Sequence, residues 1–305
     1  MRYYAWLYTP ETQRDFLAAL FVIETELHDT ARAAHEVAHI RLQWWREEIE
    51  RLIEGRAQHP ATQVLQGVSN ARTRHFDGVY PERSRRAQRP RTNQDGKVNQ
   101  DSKVVTNIPV TEPSRSALDF QLLHQTLLSA AQELANVTFE TDAELSQYLH
   151  GSLGALFTLY AEQSTDAPST QLLTAASHIG AFVRQVEITR DLRQDFNHGR
   201  LYLPLVKLDE LHIEYEALQK NEWPEAFVQL LKSRSEQQLS DYQTLKQGLL
   251  SSEKELLRPL LVLSDLHARL LKLLVTDPVM HTQQRLELGP IRKLWTAWRS
   301  ARAAR

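Results

Sequence analysis

The sequence predicts an all-α fold. Apolar residues recur at three- and four-residue spacing nearly throughout. No stretch alternates apolar with polar as a half-buried strand does, and Pro, Gly, Asn and Ser divide the chain into segments of helical length. Phe16, Leu17, Leu20, Phe21 and Ile23 mark an early helix, and Ile40, Trp44, Trp45, Ile49 and Leu52 the next. Further helices are expected over residues 117–134, 140–162, 170–196, 226–250, 253–276 and 290–301. Residues 70–116 break the pattern. They are rich in Arg, Asn, Gln, Ser and Pro, carry seven arginines between Arg72 and Arg91, and hold too little apolar surface to offset the entropy of ordering. They are expected to be a disordered insert in a single domain spanning 1–305, a solvated loop rather than a site for a phosphate-bearing partner or an anionic membrane, and no nucleic acid is expected as a partner.

With 305 residues, 42% hydrophobic and 24% charged, the chain can bury a large core and has the balance of a soluble globular protein. The net charge of -2 favours no class of partner. Cysteine is absent, which removes disulfides and thiolate chemistry and suits a reducing, cytoplasmic setting. Neither a signal peptide nor a run of about 18 apolar residues is present, so at most a peripheral contact with a membrane is expected.

His35-Glu36-Val37-Ala38-His39 matches the zinc-protease pattern, in which two histidines one helical turn apart hold the metal and the glutamate activates water. A catalytic zinc also needs a third ligand. Glu47, Glu48 and Glu54 are candidates, but Arg41 and Gln43 follow His39 where the longer metalloprotease pattern continues differently. No zinc is expected.

A more specific constellation lies between Gly180 and Pro204. Glu187, Asp191 and Asp195 fall at i, i+4 and i+8, within an arc of about 80° on one helix face. Such a stripe repels itself and needs compensating cations, either the nearby Arg184, Arg190 and Arg193 or a metal. Carboxylate oxygens suit Mg²⁺, which completes its shell with water and substrate phosphates, so the stripe reads as a diphosphate site.

These blocks resemble the squalene and phytoene synthases. Residues 2–14 are similar to the family's opening, the segment from Ile40 to Glu50 to its Arg-Leu-x-Trp-Trp block, and residues 139–156 to its central helix. Arg190, Asp191, Asp195, Arg200, Tyr202 and Pro204 match its second aspartate-rich motif. The resemblance implies an isoprenoid-synthase helical bundle around a central cavity, with two facing aspartate-rich motifs joined by Mg²⁺ to prenyl diphosphates, which condense head to head. Carried over by position, Asp191, Asp195 and Asp29 serve catalysis, with Glu187 as a further Mg²⁺ ligand. Arg190 and Arg200 lie near diphosphate, and Tyr148 and Tyr202 line the cavity.

The first motif departs from the family. Its Asp-Asp-x-x-Asp falls on His28-Asp29-Thr30-Ala31-Arg32, so only Asp29 remains. Thr25 stands where an arginine is usual, Arg184 for a glutamine and Glu187 for an asparagine. This erosion resembles the branch that contains the mitochondrial complex I assembly factor. A prenyl transferase is therefore the expected function, with a catalytically silent accessory or assembly protein, acting through a protein partner, as the alternative. Arg32 and His28 are expected to face Asp191 and Asp195 and to weaken Mg²⁺ and diphosphate binding. At the C-terminus, Ile291, Leu294, Trp295 and Trp298 share a helix face among basic residues, which suits either an interfacial helix or, preferentially, packing on the body.

Overall fold

The computed structural model describes residues 1–79, 118–135, 138–214, 217, 218, 220, 223–276 and 286–304, with 73–79 described by backbone alone. Among these residues there is no β-strand. An isolated parallel bridge joins Phe139 to Pro204. Most of the expected insert, residues 80–116, lies outside the described residues, but its beginning is helical. Arg72 explains the extension: it donates to the Glu162 carbonyl at 2.5 Å and the Thr165 carbonyl at 2.8 Å, pinning that helix to the body.

In chain order the helices are α1 (Arg2–Leu7), α2 (Glu11–Ala31), α3 (His35–Ile53), α4 (Pro60–Val79), α5 (Leu122–Leu134), α6 (Asp142–Leu149) and α7 (Ala155–Ser164). They continue with α8 (Thr170–Asn197), α9 (Leu205–Glu210), α10 (Glu225–Gly248), α11 (Ser251–Leu256), α12 (Arg258–Thr276) and α13 (Pro290–Ala303). A π-turn at His150–Gly154 divides what the sequence suggested as one helix over 140–162. The expected 253–276 helix is likewise divided, at Leu257, ahead of Pro259, whose ring fits a first helical turn but not an interior. Thr141 caps α6 by accepting from the Glu144 N–H, and Ser169 caps α8 by accepting from the Leu172 N–H at 3.0 Å.

Helix α8 is the axis of the molecule, packed by the π-turn, α7 and α12. Its residues from Ile179 to Val186 are all buried, Arg184 and Gln185 included, so this stretch is covered on every side rather than along one stripe. Gly180 permits this. A Cβ there would lie 2.5 Å from the Leu153 carbonyl oxygen, so α8 and the π-turn meet backbone to backbone. Helix α2 approaches the same region with Leu20, Ile23 and Leu27 in the core. Glu48, fully buried on α3, accepts from the backbone N–H groups of Gln58 and His59 at 2.8 Å each and from Thr62, closing the α3–α4 corner.

Helix α13 does not pack as the sequence suggested. Its small residues Ala297, Ser300 and Ala301 are buried, while Ile291, Leu294, Trp295 and Trp298 are 82%, 56%, 60% and 42% exposed. Close approach of α13 to α12 selects the narrow Ala and Ser face, and the bulky stripe is left outside.

Candidate functional site

Helices α2, α5, α6 and α8 bring together a dense set of charges. At its centre is Arg184, with 5% of its surface exposed. Its guanidinium donates to Glu133 of α5 and, from two nitrogens, to the Tyr148 hydroxyl at 2.7 and 3.1 Å. Tyr148 donates in turn to Glu133 at 2.5 Å, and His28 of α2 reaches the other Glu133 oxygen at 3.3 Å. The rings of Phe139, Tyr148 and Tyr202 cluster with centroids 5.2 to 6.2 Å apart, and Arg184 sits 5.8 Å from the Tyr148 ring and 6.0 Å from that of Tyr202. Tyr148 and Tyr202 are thus buried packing partners of an arginine.

A second group lies alongside. Glu187 has Arg2 and Arg184 each at 3.8 Å and His267 of α12 at 3.7 Å. Arg2 also pairs with buried Glu24 of α2. Farther along α8, Arg190 grips Asp191 with two nitrogens, at 2.9 and 2.5 Å. Asp195 is buried and accepts from Arg32 at 3.1 Å. Arg200 donates to the Ala31 carbonyl at 3.3 Å, tying the end of α2 to the loop after α8. Asp29 points away, exposed and without an ion pair among the described residues.

The sequence thus placed Arg32 correctly against Asp195, but His28 faces Glu133 rather than Asp191 or Asp195. Glu133, Glu24, Arg2 and His267 were missed. The one signal for them was a lone charged side chain within an otherwise apolar helical stretch, which is costly unless paired.

Burial and pairing oppose each other at these acids. Burial pushes the Glu133 carboxyl up, but Arg184, His28 and the Tyr148 hydroxyl outweigh it and hold the group at about 2. Glu187 follows the same pattern, burial being overcome by His267, Arg2 and Arg184. For Asp195 and Glu24 burial prevails over their arginines, and both are raised. A carboxyl depressed by folding adds stability above its unfolded value, here 4.5, and loses it as pH falls through the folded value. The stability gap between the native chain and Glu133→Gln should therefore be constant above pH 4.5 and close as pH approaches about 2, as read from melting curves. Asp195 and Glu24 carry the opposite sign, since protonation of a raised carboxyl favours the fold.

The carboxylates expected to hold Mg²⁺ are engaged by cations of the chain itself. Mg²⁺ needs carboxylate oxygens free to enter an octahedral shell. Here both Asp191 oxygens, one Asp195 oxygen and, at 3.7 to 3.8 Å, the Glu187 oxygens face guanidinium or imidazole groups of the chain. The zinc-like histidines lie elsewhere, exposed on the first turns of α3 with their Nε2 atoms 3.0 Å apart. Glu48, one candidate third ligand, is committed to the α3–α4 corner. No group of three metal-binding side chains occurs among the described residues.

Comparison with known proteins gives this arrangement its context. The squalene/phytoene synthase family model matches residues 1–292. The chain belongs to that family. Over 96 residues it is 25% identical to the 4,4'-diapophytoene synthase of Staphylococcus haemolyticus (strain JCSC1435), a match covering 32% of this chain and 34% of that protein. The chain thus spans about a third of that curated relative's length. A crystal structure of a dehydrosqualene synthase in complex with ligand superposes with a TM-score of 0.65 at 13% identity, covering 99% of this chain and 90% of the other. The all-α isoprenoid-synthase fold is therefore present. In this family member, Glu24, Glu133, Asp191 and Asp195 are each paired with an arginine of the chain, Arg2, Arg184, Arg190 and Arg32 respectively.

Proposed function

We propose that this squalene/phytoene synthase family member lacks prenyl-diphosphate turnover and serves as an accessory or assembly protein through its helical surface. The observation that carries the reading is the Arg32–Asp195 pair. Arg32 stands where the family resemblance calls for an acid facing Asp195, and its fixed positive charge supplies the neutralisation that a metal would otherwise provide. Guanidinium has no acceptor and does not deprotonate, so this charge cannot be exchanged for a metal ligand. The Glu133–Arg184–His28 group supports the same reading from the other end of the face.

The second reading is a transferase that joins two prenyl diphosphates head to head with Mg²⁺. Family membership and the retained Asp191, Asp195, Arg200 and Tyr202 favour it. Incubation with farnesyl or geranylgeranyl diphosphate and Mg²⁺ separates the two: the proposal expects no pyrophosphate release, and steady release overturns it. Arg32→Asp is the informative variant, because His28→Asp would set a new carboxylate against Glu133. It removes the cation and leaves two facing acids. Mg²⁺ with pyrophosphate is then expected to raise the melting temperature of Arg32→Asp while leaving the native chain unchanged.

A further inference from the structure

Helices α10, α12 and α13 enclose a groove of about 580 Å³, away from the acidic centre. That is the size of a site for a small ligand or headgroup. Its charged lining is Lys246, Asp265, Arg269, Lys272, Arg292 and Arg299. Asp265 is already engaged, accepting from Lys246 at 2.5 Å and from Tyr242 at 2.7 Å. Arg269, Lys272, Arg292 and Arg299 have no ion-pair partner among the described residues. The chain as a whole carries -2, so this excess is local rather than a property of a basic protein. Ser300, 4% exposed, lines the same groove, and its Oγ has no hydrogen-bond partner among the described residues. An unsatisfied buried hydroxyl among unpaired cations wants an oxygen-rich anionic group.

Next to the groove lies the outward stripe of α13. Trp295 lines the groove and is 60% exposed, and Trp298 stacks on it with centroids 5.1 Å apart. Ile291 and Leu294 continue the stripe, and α13 contains no acidic residue. Exposed Trp and aliphatic side chains beside basic ones suit an interface with polar headgroups on one side and acyl chains on the other. Among the described residues no helix is long and apolar enough to cross a membrane.

We propose that this face seats the protein on an anionic membrane, with the groove taking the phosphate of a lipid headgroup and the α13 stripe entering the headgroup layer. The test is sedimentation of the whole protein with vesicles of phosphatidylcholine alone or mixed with phosphatidylglycerol. Binding is expected to the mixed vesicles only, to weaken as salt rises, and to fall about fivefold for each cation removed in Arg269→Gln and Arg299→Gln. Trp295→Ser, a change at an exposed position, should lower binding with melting unaltered, which covers the case in which a groove variant folds poorly. Absence of binding, binding indifferent to lipid charge, or calorimetric binding of inorganic phosphate in the groove without vesicle binding would each overturn the proposal.

Discussion

Replacement of Arg184 by methionine is expected to destabilise the protein by about 3–5 kcal/mol, because it removes the guanidinium that pairs with buried Glu133 and leaves only His28 and the Tyr148 hydroxyl beside that charge. Both side chains are at most 6% exposed, so water cannot take over from the guanidinium. The same change removes both hydrogen bonds that the Tyr148 hydroxyl accepts and leaves its donation to Glu133. Chemical denaturation should also show Arg184→Met becoming relatively more stable on acidification, since protonation removes the orphaned charge. In the double variant Arg184→Met with Glu133→Leu, part of the loss should return, because two apolar groups replace the buried charge pair, and the rest should persist because the Tyr148 hydroxyl then has neither partner. A double variant as unstable as the single one would mean that Arg184 acts chiefly through packing on Tyr148 and Tyr202.

The helices were legible because burial on a helix leaves a periodic trace, and Leu20, Ile23 and Leu27 or Leu260, Leu263 and Leu270 carry it plainly. The π-turn was not, since it arises from a tertiary contact between Gly154 and α8 rather than from a local signal. At the site, Asp191 and Asp195 stood out by spacing, and Arg32 by occupying an acid's place. Glu133 could not be assigned, because its partner Arg184 lies 51 residues away and nothing local links them. The orientation of α13 was misread for a related reason. A stripe of Trp, Leu and Ile is ordinarily core, but close approach to α12 favoured the Ala and Ser face instead.

Gly180→Ala is expected to cost about 3 kcal/mol, at the upper end of ordinary overpacking, although in most helices the same change stabilises by about 1 kcal/mol. The new Cβ would stand 2.5 Å from the Leu153 oxygen, 2.6 Å from its carbonyl carbon and 2.7 Å from the Gly154 Cα. All are backbone atoms, so no side chain can rotate away, and α8 or the π-turn must shift. Either movement disturbs the acidic centre. Arg184 lies one turn along α8 from Gly180, and its partner Tyr148 lies in the last turn of the helix that leads into the π-turn. Gly67 on α4 provides the control, since a Cβ there meets nothing within 4 Å. Gly67→Ala should raise stability by about 0.5–1 kcal/mol through helix propensity alone. Opposite shifts in melting temperature for the two variants would tie the Gly180 cost to the close approach. A stabilised Gly180→Ala would mean that α8 and the π-turn have room to separate, and that the acidic centre does not depend on their contact.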